Sequence, residues 1–326
     1  MQQRHRKRNG AEAVKKFHNI LYVSFGTDNE TDGLKQALSL ARNNQSPLKV
    51  LVLCPQLPET LGDYRENYKK FLVGNIEAVI KTTRSTLKME ESDVPAEVRV
   101  ESGSMASHRI IQTLLRDVHD LVVKEAEIPE DRKGFKAVDM DLLRKCPCPV
   151  WLCRPIRHSR DKIRVAVAID PESEEQAAYD LSLRMLELSR SVADTCNSVL
   201  DIVSCWDFEY ESYLRENPWS KVPEENVQKI VNDTQIRHIN CLESLIKKSG
   251  IGGKYAVHHH RGRPDKIIPL FTQDNKIDIL VMGTVARTGI AGFTIGNTAE
   301  NVVRKLGCSL LALKPNGFVS PVKAYD

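Results

Sequence analysis

The chain is written twice. Residues 142–155 lie over residues 302–315, with Arg144, Lys145, Cys148 and Pro155 of the first copy answered by Arg304, Lys305, Cys308 and Pro315 of the second. Upstream, Asp120 and the apolar run behind it lie over Asp278 and its run, and Gly134 and Phe135 over Gly292 and Phe293, in a register two residues tighter. Self-similarity on this scale means two copies of one fold. The length of 326 residues agrees, because single cores stop growing near roughly 250–300 residues. The division expected is a basic tail at 1–17, a first domain at 18–155, a second at 156–315 and a C-terminal tail at 316–326.

Within each half, short Val/Ile/Leu runs alternate with helical periods. Strands are predicted near 20–23, 50–53, 96–100, 121–123 and 150–152, then near 163–169, 199–204, 254–259, 278–282 and 309–313. Between them lie helical stretches at 31–43, 64–87, 108–118 and 139–144, then 173–194, 223–248, 264–273 and 298–305. Apolar strands alternating with helices read as a parallel sheet covered on both faces. The fold class expected is therefore α/β, with two tandem doubly wound five-stranded parallel-sheet domains. The last strand of each half, at 150–153 and 310–313, would be a bare sheet edge. Pairing of the two within the chain, about a pseudo-twofold axis, removes both edges. A further homodimer is compatible with that arrangement.

Charge excludes some classes of function. The formal net charge of +4 is concentrated before residue 17, in Arg4, Arg6, Lys7, Arg8, Lys15 and Lys16 against Glu12, and the rest of the chain is close to neutral. A basic globular face for nucleic acid is not indicated; only the tail offers cations for a phosphate backbone or an anionic lipid. No apolar run reaches the length of a membrane span and no hydrophobic segment follows the basic N-terminus, so a cytoplasmic protein is expected. Most of the 8 cysteines sit inside apolar runs, as buried thiols do under reducing conditions.

The segment that points to chemistry runs from Gly283 to Asn297. It follows an apolar strand, carries glycine at 283, 289, 292 and 296, and leads into a helical stretch. A strand emptying into a glycine-rich loop and a helix start gathers unpaired backbone N–H groups, which suit phosphate. In open α/β sheets, ligands bind beyond the strand C-termini at the switch point, which sets this loop beside Asp170 at the end of the first strand of its half. The first half has Glu125 and Glu127 where the second has Gly283 and Val285, and no terminal glycine. Carboxylates there repel a phosphate, so one nucleotide site is expected, in the second half.

These residues resemble the universal stress protein family, whose nucleotide-binding members carry an Asp after the first strand and the pattern G-x-x-G-x9-G-[STN] after the fourth. Gly283 and Gly296 keep the outer spacing, Asn297 fills the last position, and Ala286 stands where the second glycine would be. The resemblance runs over roughly residues 18 to 315 and implies a tandem member with the adenine nucleotide alpha hydrolase-like fold. It implies a stress-response role, with DNA-damage resistance among the associated phenotypes. Carried over by position, Asp170 and the backbone at Val203 would hold the adenine side, and Met282, Gly283 and Thr284 the ribose and first phosphate. Gly296, Asn297 and Thr298 would face the distal phosphates, and Ala286 lies in the same loop. Arg287 is added as a mobile counter-charge, with surface decoration as its plainer reading. The ligand implied is ATP or another nucleotide-like molecule, with no covalent cofactor.

Other features weigh less. Cys146, Cys148 and Cys153 lack a second pair to complete a zinc site, and His258, His259 and His260 lack a third ligand, so no metal site is expected. The aromatics Trp206, Phe208, Tyr210, Tyr213 and Trp219 form either a lid over the ligand or a satellite cluster on a helix. No P-loop, nucleophile elbow or dinucleotide fingerprint is present, so no catalytic residue is expected. Two other functions stay open: a ligand-free interaction scaffold and a weak ATP hydrolase.

Overall fold

The computed structural model describes residues 17–27, 30–173, 175–216, 222–284 and 295–325. Among these, the first half contains β1 (Ile20–Ser24), α1 (Thr31–Asn44), β2 (Leu48–Cys54), α2 (Arg65–Leu87), β3 (Ala96–Ser102), α3 (Ala106–Arg116), β4 (Leu121–Glu125), α4 (Ala137–Lys145) and β5 (Val150–Cys153). The second half repeats the order with β6 (Val165–Ala168), α5 (Gln176–Thr195), β7 (Leu200–Trp206), a short α6 (Glu211–Glu216), α7 (Glu224–Ser249), β8 (Tyr255–Arg261), α8 (Pro264–Asp274), β9 (Ile279–Gly283), α9 (Asn297–Val303) and β10 (Ser309–Leu313). No described helix is long and apolar enough to cross a membrane.

All ten strands form one sheet in the order β3-β2-β1-β4-β5-β10-β9-β6-β7-β8. Each half is parallel and doubly wound, and the halves join through antiparallel β5 and β10, where Leu310, Leu311 and Ala312 face Leu152, Trp151 and Val150. The alternation of side chains along each strand then feeds two cores, one on each face. Ile20 and Tyr22 of β1 and Leu311 and Leu313 of β10 enter the core beneath α1, α2, α5 and α7. Leu21, Val23, Leu310 and Ala312 enter the other, beneath α3, α4, α8 and α9. Both cores run through the two halves without a break, so the strand pair is a continuous interior rather than a polar domain contact.

Polar groups lock the seam. The Arg144 guanidinium meets Glu300 at 2.7 Å, the Lys314 ammonium donates to the Cys146 carbonyl at 2.6 Å, and the Arg154 amide donates to the Ser309 hydroxyl at 2.9 Å. At the chain ends, the Phe17 amide donates to the Asn44 side chain at 3.0 Å, so residue 17 belongs to the first half. The segment after β10 also packs down: Val322 is buried and the Ser320 hydroxyl donates to the Lys145 carbonyl at 2.8 Å. Residues 1–16, which carry the basic tail, lie outside the described residues.

Candidate functional site

A cavity of about 400 Å³ opens beyond the C-terminal ends of β6, β7 and β9, where the strand order of the second half reverses. Five of the expected residues line it: Asp170, Val203, Met282, Gly283 and Thr298. They converge because parallel pairing sets Ala168 beside both Val203 and Met282, which brings three strand ends to one level. Asp170 is exposed just past β6, and its carboxylate accepts from the Glu172 amide at 3.2 Å.

Gly283 is the last residue of β9, and its value there is space. A Cβ would meet Leu181 of α5 at 3.2 Å, closer than methyl groups normally pack, so glycine lets that helix approach the strand. Three expected residues take other parts. Thr284 is buried and turns to β10, its amide and hydroxyl both donating to the Leu313 carbonyl, at 3.0 and 3.3 Å. The Gly296 amide donates to the Thr284 carbonyl at 2.9 Å, so it closes the loop rather than facing a phosphate. Asn297 is exposed in the first turn of α9 and is not among the described lining residues. The Val203 carbonyl is likewise occupied, by the Ile169 amide at 3.0 Å. Ala286 and Arg287 fall outside the described residues, as does most of the glycine loop.

Several lining residues carry no motif. His238 reaches the cavity from α7, and its Nδ1 lies 2.9 Å from His259 Nε2, with burial holding both imidazoles below their ordinary range. Low basicity makes this a neutral donor–acceptor pair near pH 7 rather than a repelling dication. Its sequence signal was its place in the apolar stripe of α7, with Val231, Thr234 and Leu242. His258 bonds Asp201 at 2.8 Å and stacks with His260, and both rings meet Phe271 at steep angles, so these histidines serve packing and hydrogen bonding. Among the described residues no cluster of three or more His, Cys, Asp or Glu could hold a metal.

The aromatic segment divides. Trp206 is the last residue of β7, lines the cavity, stacks on His259 at 6.0 Å, and packs with Phe208, Val227 and Val231 as a small separate core. Tyr210 and Tyr213 are exposed, and Trp219 lies outside the described residues.

The matching region of the first half holds charges instead. Lys124 takes the position of Met282, and its ammonium, almost fully buried, donates to Asp139 at 2.9 Å, Glu127 at 3.2 Å and the Glu125 carbonyl at 3.0 Å. Glu125 accepts from the Gly33 amide at 2.7 Å, and Glu30 accepts from the Phe25 amide at 2.9 Å. Glu30, Lys124, Glu125 and Glu127 border a cavity of about 810 Å³. Burial pushes the Glu125 carboxyl up to about 7, against the Gly33 amide, which favours its charged form. A folded value above the unfolded one means that the stability this group contributes is full at low pH and declines as pH rises from about 4.5 through about 7. Melting temperatures measured across that window should fall, and Glu125→Gln, which keeps an acceptor for Gly33, should flatten the decline.

Comparisons with known proteins agree with this architecture. The profile of the universal stress protein family matches residues 163–314. Universal stress protein E of Escherichia coli strain K12 is 30% identical over 237 residues, covering 72% of this chain and 72% of that protein. The protein of the same name from Photorhabdus laumondii is 26% identical over 318 residues, covering 94% and 98%. Among solved structures, a functionally unknown protein from Pseudomonas aeruginosa PAO1 superposes with a TM-score of 0.69 at 21% identity, covering 94% of this chain and 95% of that one. A universal stress protein from Archaeoglobus fulgidus DSM 4304 does so with 0.62 at 17%, covering 90% and 97%. The structural likeness shows the fold, and the sequence relationship shows the lineage: the protein belongs to the universal stress protein family.

Proposed function

We propose that the second half binds a nucleotide or nucleotide-like ligand, ATP being the first candidate, and that the protein acts in a cytoplasmic stress response as a binding module without catalysis of its own. The observation that carries this reading is the cavity of about 400 Å³ at the switch point, edged by Asp170, Met282, Gly283 and the first turn of α9. Its volume is in the range of small-molecule sites, and its position is where open α/β sheets hold ligands. The Asp170 carboxylate can accept from a ribose hydroxyl or a base amino group. The first half serves as the structural partner. Its counterpart region sets Glu30, Glu101, Glu125 and Glu127 against Arg109 and Lys136, with its buried lysine already neutralised by Asp139, a poorer setting for a polyanion.

The test is calorimetry of the full chain with ATP. The isolated second half is a poor substitute, because removing β5 exposes the edge of β10. Heat of binding in wild type should be accompanied by about tenfold weaker binding in Thr298→Glu, where a carboxylate stands near the ligand phosphates. Thr298 is exposed in a first helical turn, where Glu is well tolerated, so the melting temperature should not move. Absence of heat and of any thermal shift at millimolar ATP would favour the ligand-free scaffold.

A further inference from the structure

A second cleft, of about 270 Å³, lies between the halves and shares no lining residue with the cavity above. Its apolar walls come from Leu40 of α1, Leu87 at the end of α2, Trp151 of β5, Ile156 and Ile163 of the connector, and Val192 of α5. Two polar features set it apart from a packing defect. Trp151 is 4% exposed, and its indole N–H is buried with no hydrogen-bond partner among the described residues. Buried indole donors are ordinarily satisfied.

The second feature is the charge at the cleft. Four basic side chains line it, and three are engaged: Lys35 with Asp32 at 3.8 Å, His158 with Asp278 at 2.9 Å, and Arg160 with the Thr195 carbonyl at 2.9 Å. Arg42, half-buried near the end of α1, has no side-chain partner among the described residues. The cleft thus offers apolar walls and one unanswered guanidinium, while the one carboxylate among its described lining residues, Asp32, is already paired.

We propose that this interdomain cleft binds a small apolar carboxylate of about a dozen non-hydrogen atoms, whose acid group answers the guanidinium that the protein leaves unpaired. The acid group sits at Arg42, and the apolar body lies along Leu40, Ile163 and Val192 against the Trp151 ring. Because both halves line the cleft, occupancy ties α1 of the first half to α5 of the second.

Octanoate and 2-naphthoate are the probes, titrated calorimetrically into the full chain, with octan-1-ol as the uncharged comparison. Binding below about 1 mM is expected for one acid or both, and the stronger of the two tells an acyl chain from an aromatic acid. Octan-1-ol should bind at least about tenfold more weakly than octanoate, and Arg42→Gln should erase that difference. Ser39→Phe, which fills the cleft from α1, should abolish binding. No binding of either acid to folded wild type overturns the proposal. So does equal binding to wild type and Ser39→Phe, or an unchanged preference for octanoate in Arg42→Gln.

Discussion

Asp139→Ala is expected to lower the unfolding free energy by about 3 kcal/mol, read as a shifted urea midpoint with an unchanged slope. The Lys124 ammonium is 2% exposed and Asp139 fully buried; removing the carboxylate leaves an interior cation with only the half-buried Glu127 at 3.2 Å and the Glu125 carbonyl at 3.0 Å to answer it. The Glu127 amide, which donates to the second Asp139 oxygen at 2.9 Å, loses its acceptor as well. Buried ion pairs commonly give no net stability over apolar residues of similar volume. Burial raises the Asp139 carboxyl above its ordinary range in spite of the adjacent ammonium, which means that desolvation outweighs the attraction. Hence Lys124→Met with Asp139→Leu, which gives the site the methionine the second half has at that strand position, should recover most of the loss. If the double variant is as unstable as Asp139→Ala, the charges contribute more than their desolvation costs.

Gly134→Ala should cost a similar amount, about 3 kcal/mol, for a different reason. Gly134 has φ +69°, and an added Cβ would stand 2.7 Å from the Arg304 carbonyl oxygen, which belongs to the other half. The left-handed conformation costs an L-residue about 1–2 kcal/mol, and the overlap adds a comparable amount because its neighbour is backbone. The glycine has little freedom to shift. Its amide donates to the Leu306 carbonyl at 2.9 Å and its own carbonyl accepts from the Arg154 guanidinium. Gly74→Ala provides the contrast: that position lies inside α2 with open space where the methyl would go, so stability should rise by about 0.5–1 kcal/mol. Equal effects of the two alanines on the urea midpoint would refute the account of the seam.

Most of the secondary structure was legible in the chain, for a physical reason. Strands covered on both faces have to be apolar throughout, so β2, β4, β7, β9 and β10 stand out as Val/Ile/Leu runs, and all ten predicted strands lie within a few residues of those observed. The short α6 was not foreseen, because its six residues lie in a segment whose aromatic content drew the reading toward a lid or a cluster. In the site, the topological rule set the start of the glycine loop beside Asp170, since strand ends at a switch point are neighbours whatever their side chains, and the resemblance added Met282 and Gly283. The parts that Thr284 and Gly296 play were not legible. Whether an amide faces a ligand or closes a turn depends on a partner such as the Leu313 carbonyl, which is remote in sequence from both.

The first half shows the same division. Its acidic character was visible at Glu125 and Glu127, but the carboxylate set beside the end of β1 is Glu30, folded back onto the Phe25 amide and the Tyr22 hydroxyl. Likewise, Lys124 in an apolar strand and Asp139 in a helix are each unremarkable in sequence, and only the packing of α4 against the sheet makes them a pair.

The sequence by itself determined that there are two copies of one doubly wound fold and that their glycine-rich and acidic versions differ, because periodicity and repetition are local properties of a chain. Tertiary structure decided how the copies share one sheet, which amides the loop consumes, that His238 belongs to the cavity, and that a cleft with an unanswered indole and guanidinium lies between the halves. Those are outcomes of pairing between remote residues, set by the register of β5 on β10 and by which side chains the two continuous cores leave without partners.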